Sequence, residues 1–369
     1  MKYYIIAGEA SGDLHASNLM KEIFKKDKDA VIHFWGGDLM KQTGGKLIKH
    51  YKELSFMGFI EVLMNITKIF KNIKFCKEDI EKFKPDVVIF IDYSGFNLRI
   101  AKWASNKGFN TNYYISPQVW ASRSSRVKKI KLYIDKMFVI LPFEKEFYNK
   151  YDYDVTFVGH PLIDAISDRK TLDETNFRNE YRLNDKPIIA LLPGSRKQEI
   201  TKMLSVMLKM VDKFKDYQFV IAGAPSQDYE FYKSFIKEQN ISFIDNKTYD
   251  LLSISYAALV TSGTATLEAA LFKIPQVVCY KGSNISYQIA KRIITIKYIS
   301  LVNLIMDKEV VTELVQNDFN ESNLEKELKL ILNQENREII FNDYYDLEII
   351  LGGKGASEKT ASIIVEGLS

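Results

Sequence analysis

An α/β protein built as two doubly wound domains in tandem is the fold class this sequence predicts, and three observations predict it. The chain has 369 residues, enough for two domains at the usual ~100–200 residues each. Short β-rich runs alternate with longer runs of helical spacing, the signature of βαβ units around a parallel sheet. The alternation occurs twice, and a polar, charged stretch at 167–186 separates the two series.

In the first series, residues 2–7 read as a buried strand, followed by a glycine-containing turn and a helix over 14–24. Residues 30–35 form the next strand, closed by Gly36 and Gly37, and 57–74 carry helical spacing. The apolar run 85–91 is a strand that stops at Asp92, and 112–115 and 136–141 are strands that end at proline turns. In the second series, 187–192 runs into Pro193-Gly194-Ser195, 218–222 stops at Gly223, 257–261 stops at Ser262-Gly263, and 276–280 follows Pro275. The expected domains are 1–170 and 186–342, followed by a helical tail at 343–369 broken at Gly352-Gly353. Ligands of such sheets bind at the carboxyl ends of the strands, where each motif below falls.

Composition narrows the class. Hydrophobic residues make up 46% and charged residues 27%, an ordinary globular balance. A net charge of +4 is too small to argue for nucleic acid. No apolar run reaches the ~18 residues of a membrane span. The first strand starts almost at Met1, which leaves no room for a signal peptide, and Cys76 and Cys279 are the only cysteines. A reducing cytoplasm is the expected setting. Four scattered histidines give no zinc pattern.

Four strand-end motifs carry polar chemistry. Gly8-Glu9-Ala10-Ser11-Gly12-Asp13 follows the first strand: its glycines let the backbone turn closely, and the next helix offers free N–H groups to an anion. Ser11 or Asp13 as a plain helix cap is the alternative, but a cap leaves Glu9 unexplained. Asp92, in Ile91-Asp92-Tyr93-Ser94-Gly95-Phe96-Asn97, ends an apolar strand where a carboxylate can take a proton from a hydroxyl; a turn aspartate is the competing reading. Leu191-Leu192-Pro193-Gly194-Ser195-Arg196 puts a guanidinium at a helix start, a poor place for a cation unless an anion binds beside it. Thr261-Ser262-Gly263-Thr264-Ala265-Thr266-Leu267-Glu268 is a small-residue loop entering a helix, suited to a phosphate, with Glu268 one turn on to receive ribose hydroxyls. Paired with Arg196, it points to a nucleotide diphosphate.

A fifth segment is apolar. Ile60, Leu63, Ile66, Phe70 and Ile73 share helical spacing, while Phe59, Val62, Met64 and Ile69 widen the arc and Lys68, Lys71 and Lys74 flank it. Such a stripe is usually core; its breadth and lysine flank also suit a helix lying on a membrane surface. Arg123, Arg126, Lys128, Lys129 and Lys131, beside Trp120, read either as a solvated face or as a contact for anionic headgroups.

Together these motifs resemble the lipid-A-disaccharide synthase family, inverting glycosyltransferases of GT-B architecture, in which two Rossmann-like domains flank a cleft. The resemblance runs from Gly8 to about Gln316. Besides the motifs above it is carried by Met-Gly-Phe-Ile-Glu-Val-Leu (57–63), Ser-Pro-Gln-Val-Trp-Ala (116–121), Leu-Pro-Phe-Glu-Lys-Glu-Phe-Tyr (141–148), Val-Gly-His-Pro-Leu (158–162) and Tyr-Ile-Ser-Leu-Val-Asn-Leu (298–304). The set in this order is specific, although each motif alone is common.

The resemblance implies transfer of a sugar from UDP-2,3-diacylglucosamine to 2,3-diacylglucosamine 1-phosphate, giving a β-1,6-linked disaccharide phosphate and UDP. It makes the first domain the acceptor and lipid side and the second the UDP-sugar side, and it implies neither a metal nor a cofactor. Asp92 is then the base, Arg196 with the 262–266 loop steadies the leaving diphosphate, and Glu9 takes part in catalysis by positioning sugars or phosphates. Ser11, Ser195, Ser262, Gly263, Thr264, Thr266, Glu268 and Asn303 are expected on the donor, with the loop 223–225 near the uracil. Phe59, Ile60, Val62, Leu63, Ile66, Ile69, Phe70 and Met203 are expected to meet acyl chains or the bilayer. The implied setting is the cytoplasmic face of the inner membrane of a Gram-negative cell, by peripheral association, and a homodimer is left open. Two departures stand out: Gly95 sits where many members carry a second acid, and Val302 where many carry proline before the matched asparagine. Another UDP-sugar enzyme of this architecture, such as a UDP-N-acetylglucosamine 2-epimerase or a MurG-like transferase, and a non-catalytic nucleotide-sugar or lipid binder are the alternatives; the apolar 56–70 segment favours a lipid substrate.

Overall fold

The computed structural model describes residues 1–54, 66–122, 124–224, 227–236, 241–282 and 297–368. The chain divides into two compact units, residues 1–168 with 351–369 (unit 1) and residues 169–350 (unit 2). The stretch read from sequence as one tail is thereby divided: the helix Gln334–Ile350 belongs to unit 2, and the helix Ala356–Glu366 to unit 1.

Unit 1 is built on seven parallel strands: β1 (Lys2–Ala7), β2 (Val31–Gly36), β3 (Lys46–His50), β4 (Val87–Ile91), β5 (Asn110–Tyr114), β6 (Lys136–Val139) and β7 (Thr156–Phe157), in the order β3-β2-β1-β4-β5-β6-β7. β1 shows why the sequence gives this sheet. Tyr3, Ile5 and Ala7 pack on one face with Leu19, Met20 and Ile23 of the helix Ala10–Lys26. Tyr4 and Ile6 pack on the other face with Cys76 and Ile80 of the helix Ile66–Phe83. A strand covered on both faces reads as an unbroken apolar run, as parallel strands do. The second helix is also fastened by polar bonds: Tyr4 Oη donates to Asp79 at 2.8 Å and itself accepts from Trp35 Nε1 at 2.9 Å.

The helix Ala356–Glu366 completes the first of these faces with Ala361 and Ile364. Asp164 holds its start, accepting from the backbone N–H groups of Gly355 at 2.6 Å and Ser357 at 2.9 Å. The His160 N–H donates to the Leu351 carbonyl at 3.0 Å.

Unit 2 repeats the plan with β8 (Ile188–Leu192), β9 (Gln218–Gly223), β10 (Ser242–Asp245), β11 (Ser255–Thr261), β12 (Gln276–Tyr280) and β13 (Glu313–Val315), all parallel, in the order β10-β9-β8-β11-β12-β13. Each sheet reverses its winding direction once, between β1 and β4 in unit 1 and between β8 and β11 in unit 2. Beyond the carboxyl ends at such a reversal the connecting loops diverge and leave a crevice, the place where doubly wound sheets hold ligands.

Candidate functional site

In unit 1 the reversal brings together the loops that follow β1 and β4. Glu9 precedes the helix Ala10–Lys26, and both Glu9 and Ser11 are exposed. Asp92 and Tyr93 follow β4 with φ of 44° and 46°, two consecutive left-handed residues. That conformation is costly for side chains other than glycine and persists only where surroundings impose it. Here the Asp92 carbonyl accepts from Asn97 Nδ2 at 2.8 Å and from the Tyr113 hydroxyl. Asn97, wholly buried, also reaches the carbonyls of Ile91 at 3.2 Å and Ile6 at 3.4 Å, so one amide ties the ends of β1 and β4 together. Gly8 leaves space for the Tyr93 ring, since a Cβ there would lie 2.2 Å from it.

The Asp92 carboxyl is pushed up to about 6, chiefly by burial, with the Glu9 charge adding to the rise and the Tyr93 backbone N–H opposing it. A carboxyl poised within about a unit of neutral pH has the basicity that general-base catalysis favours. Gly95 lies one turn away, and a side chain there would meet nothing within 4 Å. The position at which the resemblance implies a second acid is therefore open space rather than a broken contact.

Asp13 is committed elsewhere. Its buried carboxylate accepts from the N–H groups of Gly37 at 2.7 Å, Leu39 at 3.1 Å and Met40 at 3.1 Å, capping the helix Asp38–Thr43. The 116–121 and 141–148 motifs prove to be one assembly. The Ser116 hydroxyl donates to buried Glu144 at 2.5 Å, and Glu144 also accepts from the N–H groups of Ile140 and Leu141. Trp120 meets Phe143 edge-on, with ring centroids 4.9 Å apart. The loop starts at Ile115, whose φ of 67° is an outlier for a β-branched residue.

The apolar expectation is divided by the structure. Phe59, Ile60, Val62 and Leu63 lie outside the described residues, as does the side chain of Ile66. On the helix Ile66–Phe83, Ile69 packs partly against the core and Ile73 is buried, whereas Phe70 and Phe75 are 61% and 44% exposed. Lys68, Lys71 and Lys74 are exposed on the same helix, and Arg126, Lys128, Lys129 and Lys131 are exposed beyond Trp120.

In unit 2 the reversal brings together Pro193-Gly194-Ser195-Arg196 after β8 and Ser262-Gly263-Thr264 after β11. Gly194 has φ of 101°, and the next N–H, of Ser195, donates to Glu199 at 3.1 Å. Arg196 is exposed at the start of the helix Lys197–Met207 and pairs with no acid among the described residues. Gly263 and Thr264 are exposed at the start of the helix Thr264–Leu271, where the first-turn N–H groups are available to an anion. Glu268, one turn along, receives a hydrogen bond from the Tyr249 hydroxyl at 3.1 Å, and burial pushes its carboxyl up. Beside Tyr249 is a cavity of about 420 Å³ lined by Arg169, Asn246, Lys247, Thr248, Tyr249 and Asp250.

Three expected contacts are revised. Thr266 is wholly buried, and its hydroxyl donates to the Gly263 carbonyl at 2.8 Å, so it shapes the loop from within. Asn303 is wholly buried and fully engaged: Nδ2 donates to Val311 and Glu313, and Oδ1 accepts from the N–H groups of Val310 and Val311. Glu313 also accepts from the N–H groups of Ile299 and Ser300, and Ser262 Oγ donates to the Ile299 carbonyl at 2.9 Å. Asn303 thus ties the helix Leu301–Met306 to the 310–313 segment and has no side-chain polar atom left for a donor. Met203, expected on acyl chains, lies wholly inside unit 2, as an apolar side chain on the inner face of its helix must. At the expected uracil loop, the Ala224 N–H already bonds the Tyr232 hydroxyl at 3.0 Å, and Pro225 lies outside the described residues.

Asn97, Tyr113, Tyr249 and Glu313 escaped the sequence reading. Asn97 stands inside a motif already singled out. The other three lie at ordinary-looking positions, and only the folded contacts give them a role.

Comparison with known proteins follows the same outline. A family model described as "Lipid-A-disaccharide synthetase" matches residues 3–366. A lipid-A-disaccharide synthase of Syntrophus aciditrophicus is 38% identical, with 97% of this chain and 95% of that protein covered. One from Coxiella burnetii is 35% identical, with coverage of 98% and 96%. Among solved structures, a UDP-GlcNAc 2-epimerase from Neisseria meningitidis bound to UDP-GlcNAc superposes with a TM-score of 0.70 at 15% identity, covering 100% of this chain and 99% of that one. At that identity the likeness shows the fold alone: α/β, with two parallel-sheet Rossmann-like domains.

Proposed function

The chain belongs to the lipid-A-disaccharide synthetase family and is a glycosyltransferase, and from that premise we propose how its residues act and on what. The donor is UDP-2,3-diacylglucosamine and the acceptor 2,3-diacylglucosamine 1-phosphate. The acceptor 6-hydroxyl oxygen attacks the anomeric carbon, the bond from that carbon to the UDP oxygen breaks, and the anomeric centre inverts. Asp92 takes the hydroxyl proton. Negative charge grows on the departing diphosphate, where Arg196 and the first-turn N–H groups at Gly263 and Thr264 stabilise it. Glu268 accepts from the ribose hydroxyls. Glu9 keeps Asp92 basic and, with Ser11, positions polar groups of the substrates.

The observation that carries this reading is Asp92 itself: a strained, largely buried carboxylate at the winding reversal of unit 1, raised to about 6 beside Glu9.

In our reading the enzyme works at a membrane surface without crossing it. No helix among the described residues is long and apolar enough to span one. Exposed Phe70 and Phe75 among Lys68, Lys71 and Lys74 suit peripheral contact with anionic lipid.

The test is UDP release by the purified protein with both diacylated glucosamine substrates in detergent, and with each omitted. Release only with both present, with the disaccharide phosphate identified by mass spectrometry, supports the proposal. UDP release from donor alone, or from a UDP-N-acetylglucosamine-type donor without a lipid acceptor, would favour an epimerase-like chemistry instead. The Asp92→Asn variant should retain UDP binding while losing turnover.

A further inference from the structure

Glu268 does not stand alone in unit 2. The phenol of Tyr249, from the helix Thr248–Ser253, donates to its Oε1 at 3.1 Å. The Tyr249 ring is itself fixed on two sides. Phe272, just past the helix that carries Glu268, lies with its ring centroid 5.4 Å away. The Arg169 guanidinium sits 5.3 Å from the Tyr249 ring and 5.5 Å from the Phe272 ring, and is ion-paired with Asp250. Lys247 approaches the other oxygen of Asp250 at 3.5 Å. An aromatic ring clamped this way delivers its hydroxyl to one point.

We propose that Tyr249 is a positioning residue for donor binding: it fixes one oxygen of Glu268 so that the remaining acceptor sites face the two neighbouring hydroxyls of the donor's ribose. This rests on the reading of Glu268 as the ribose carboxylate. An ionised carboxylate has about four acceptor positions on two oxygens, and a ribose diol uses two of them. A free glutamate rotates among its side-chain wells and must be ordered each time the donor binds. One held by a phenol is ordered beforehand.

The phenol is the right partner for a second reason. Burial and the Glu268 charge both push its ionisation up, so it stays a neutral donor over the working range. Its hydrogen bond in turn opposes the burial that pushes Glu268 up, which favours the ionised, accepting form. The charged groups around the pair are Arg169, Asp250 and Lys247 on the Tyr249 side; on the helix Thr264–Leu271, Glu268 is the only charged residue.

The experiment compares wild type, Tyr249→Phe, Glu268→Gln and the double variant by equilibrium binding of UDP and of 2′,3′-dideoxy-UDP, alongside donor and acceptor kinetics. Phenylalanine keeps the ring between Arg169 and Phe272, and thermal melting of each variant confirms that it folds. Tyr249→Phe is expected to weaken UDP about tenfold, the order of one charge-assisted hydrogen bond. It should raise donor KM by a similar factor, leave acceptor KM unchanged and keep kcat within about twofold. It should also shrink the preference for UDP over the dideoxy analogue, and lose more affinity on the acid side than on the alkaline side, because without the phenol's hydrogen bond burial pushes Glu268 up further. In the double variant the Tyr249 effect should shrink to about that of a neutral hydrogen bond, because the amide oxygen of glutamine still accepts but carries no charge.

If Glu268→Gln leaves UDP binding and the ribose preference intact, the ribose reading fails and this inference falls with it. If Glu268→Gln weakens UDP but Tyr249→Phe does not, or lowers UDP and dideoxy-UDP equally, the positioning role alone is overturned. Effects that add in the double variant overturn it as well.

Discussion

Replacing Asp92 with asparagine is expected to do two opposite things: remove turnover and make unit 1 harder to melt. Burial and the Glu9 charge lift the Asp92 carboxyl from an ordinary 3.8 to about 6. At about 1.4 kcal/mol per pKa unit, the ionised group holds the folded state back by up to about 3 kcal/mol at neutral pH. Its partial exposure brings that to about 1–2 kcal/mol. Because the folded-state value is the higher one, the native protein binds more protons than the unfolded chain between 3.8 and 6, and stability falls as pH rises through that window. Asparagine carries no charge on either side of it. Asp92→Asn should therefore gain about 1–2 kcal/mol near pH 7.5 and nothing below about pH 4. For a unit of this size that is a rise of about 2–8 °C in Tm. Scanning calorimetry at the two pH values measures it, and UDP release measures turnover. A lower Tm near pH 7.5, or an equal gain at both pH values, would refute the argument that the site holds its carboxylate against a desolvation cost. Retained turnover would refute the base assignment.

Three further outcomes follow from the same structure. Glu9→Gln should move the acid limb of kcat/KM to lower pH, because removing a neighbouring negative charge lowers the Asp92 value; an unmoved limb would separate Glu9 from the base. Met203→Ala should cost about 2–5 kcal/mol in denaturant unfolding, as deletion of a wholly buried side chain does, with the relative rates on donors of different acyl length unchanged; altered chain-length preference at unchanged stability would return Met203 to the lipid site. Reversing Lys68, Lys71 and Lys74 to glutamate should release the protein from vesicles containing anionic lipid in a flotation assay, at about 1 kcal/mol per charge near the surface, while leaving neutral vesicles indifferent; unchanged flotation would remove this helix from the membrane contact.

The central strands of both sheets were legible because they are covered on two faces and read as plain apolar runs. β1, β4, β8 and β11 all stop at the motif residues that the sequence marks. The strands that went unread, β3, β10 and β13, are edge strands of the two sheets. An edge strand is short and partly wetted, so Lys46–His50 or Glu313–Val315 carries no apolar run to notice. The site was legible by residue type but not by direction. A carboxylate at a strand end is visible in sequence. Whether an asparagine in a matched motif faces a ligand or its own loop depends on contacts ten residues away, as Asn303 and Glu313 show. Met203 was misplaced for a similar reason, since helical spacing gives a face but not which face is inside.

The helix at 356–366 has a consequence for how the protein is made. Unit 1 begins the chain, yet Ala361 and Ile364 of its core and the backbone donors for Asp164 arrive only after all of unit 2 has been translated. On the ribosome, unit 2 can close while unit 1 waits with one face of its sheet only partly covered and Asp164 unmet. A stop codon anywhere between 351 and 364 would spare every residue assigned here to donor or base, and would still leave the first domain unfinished.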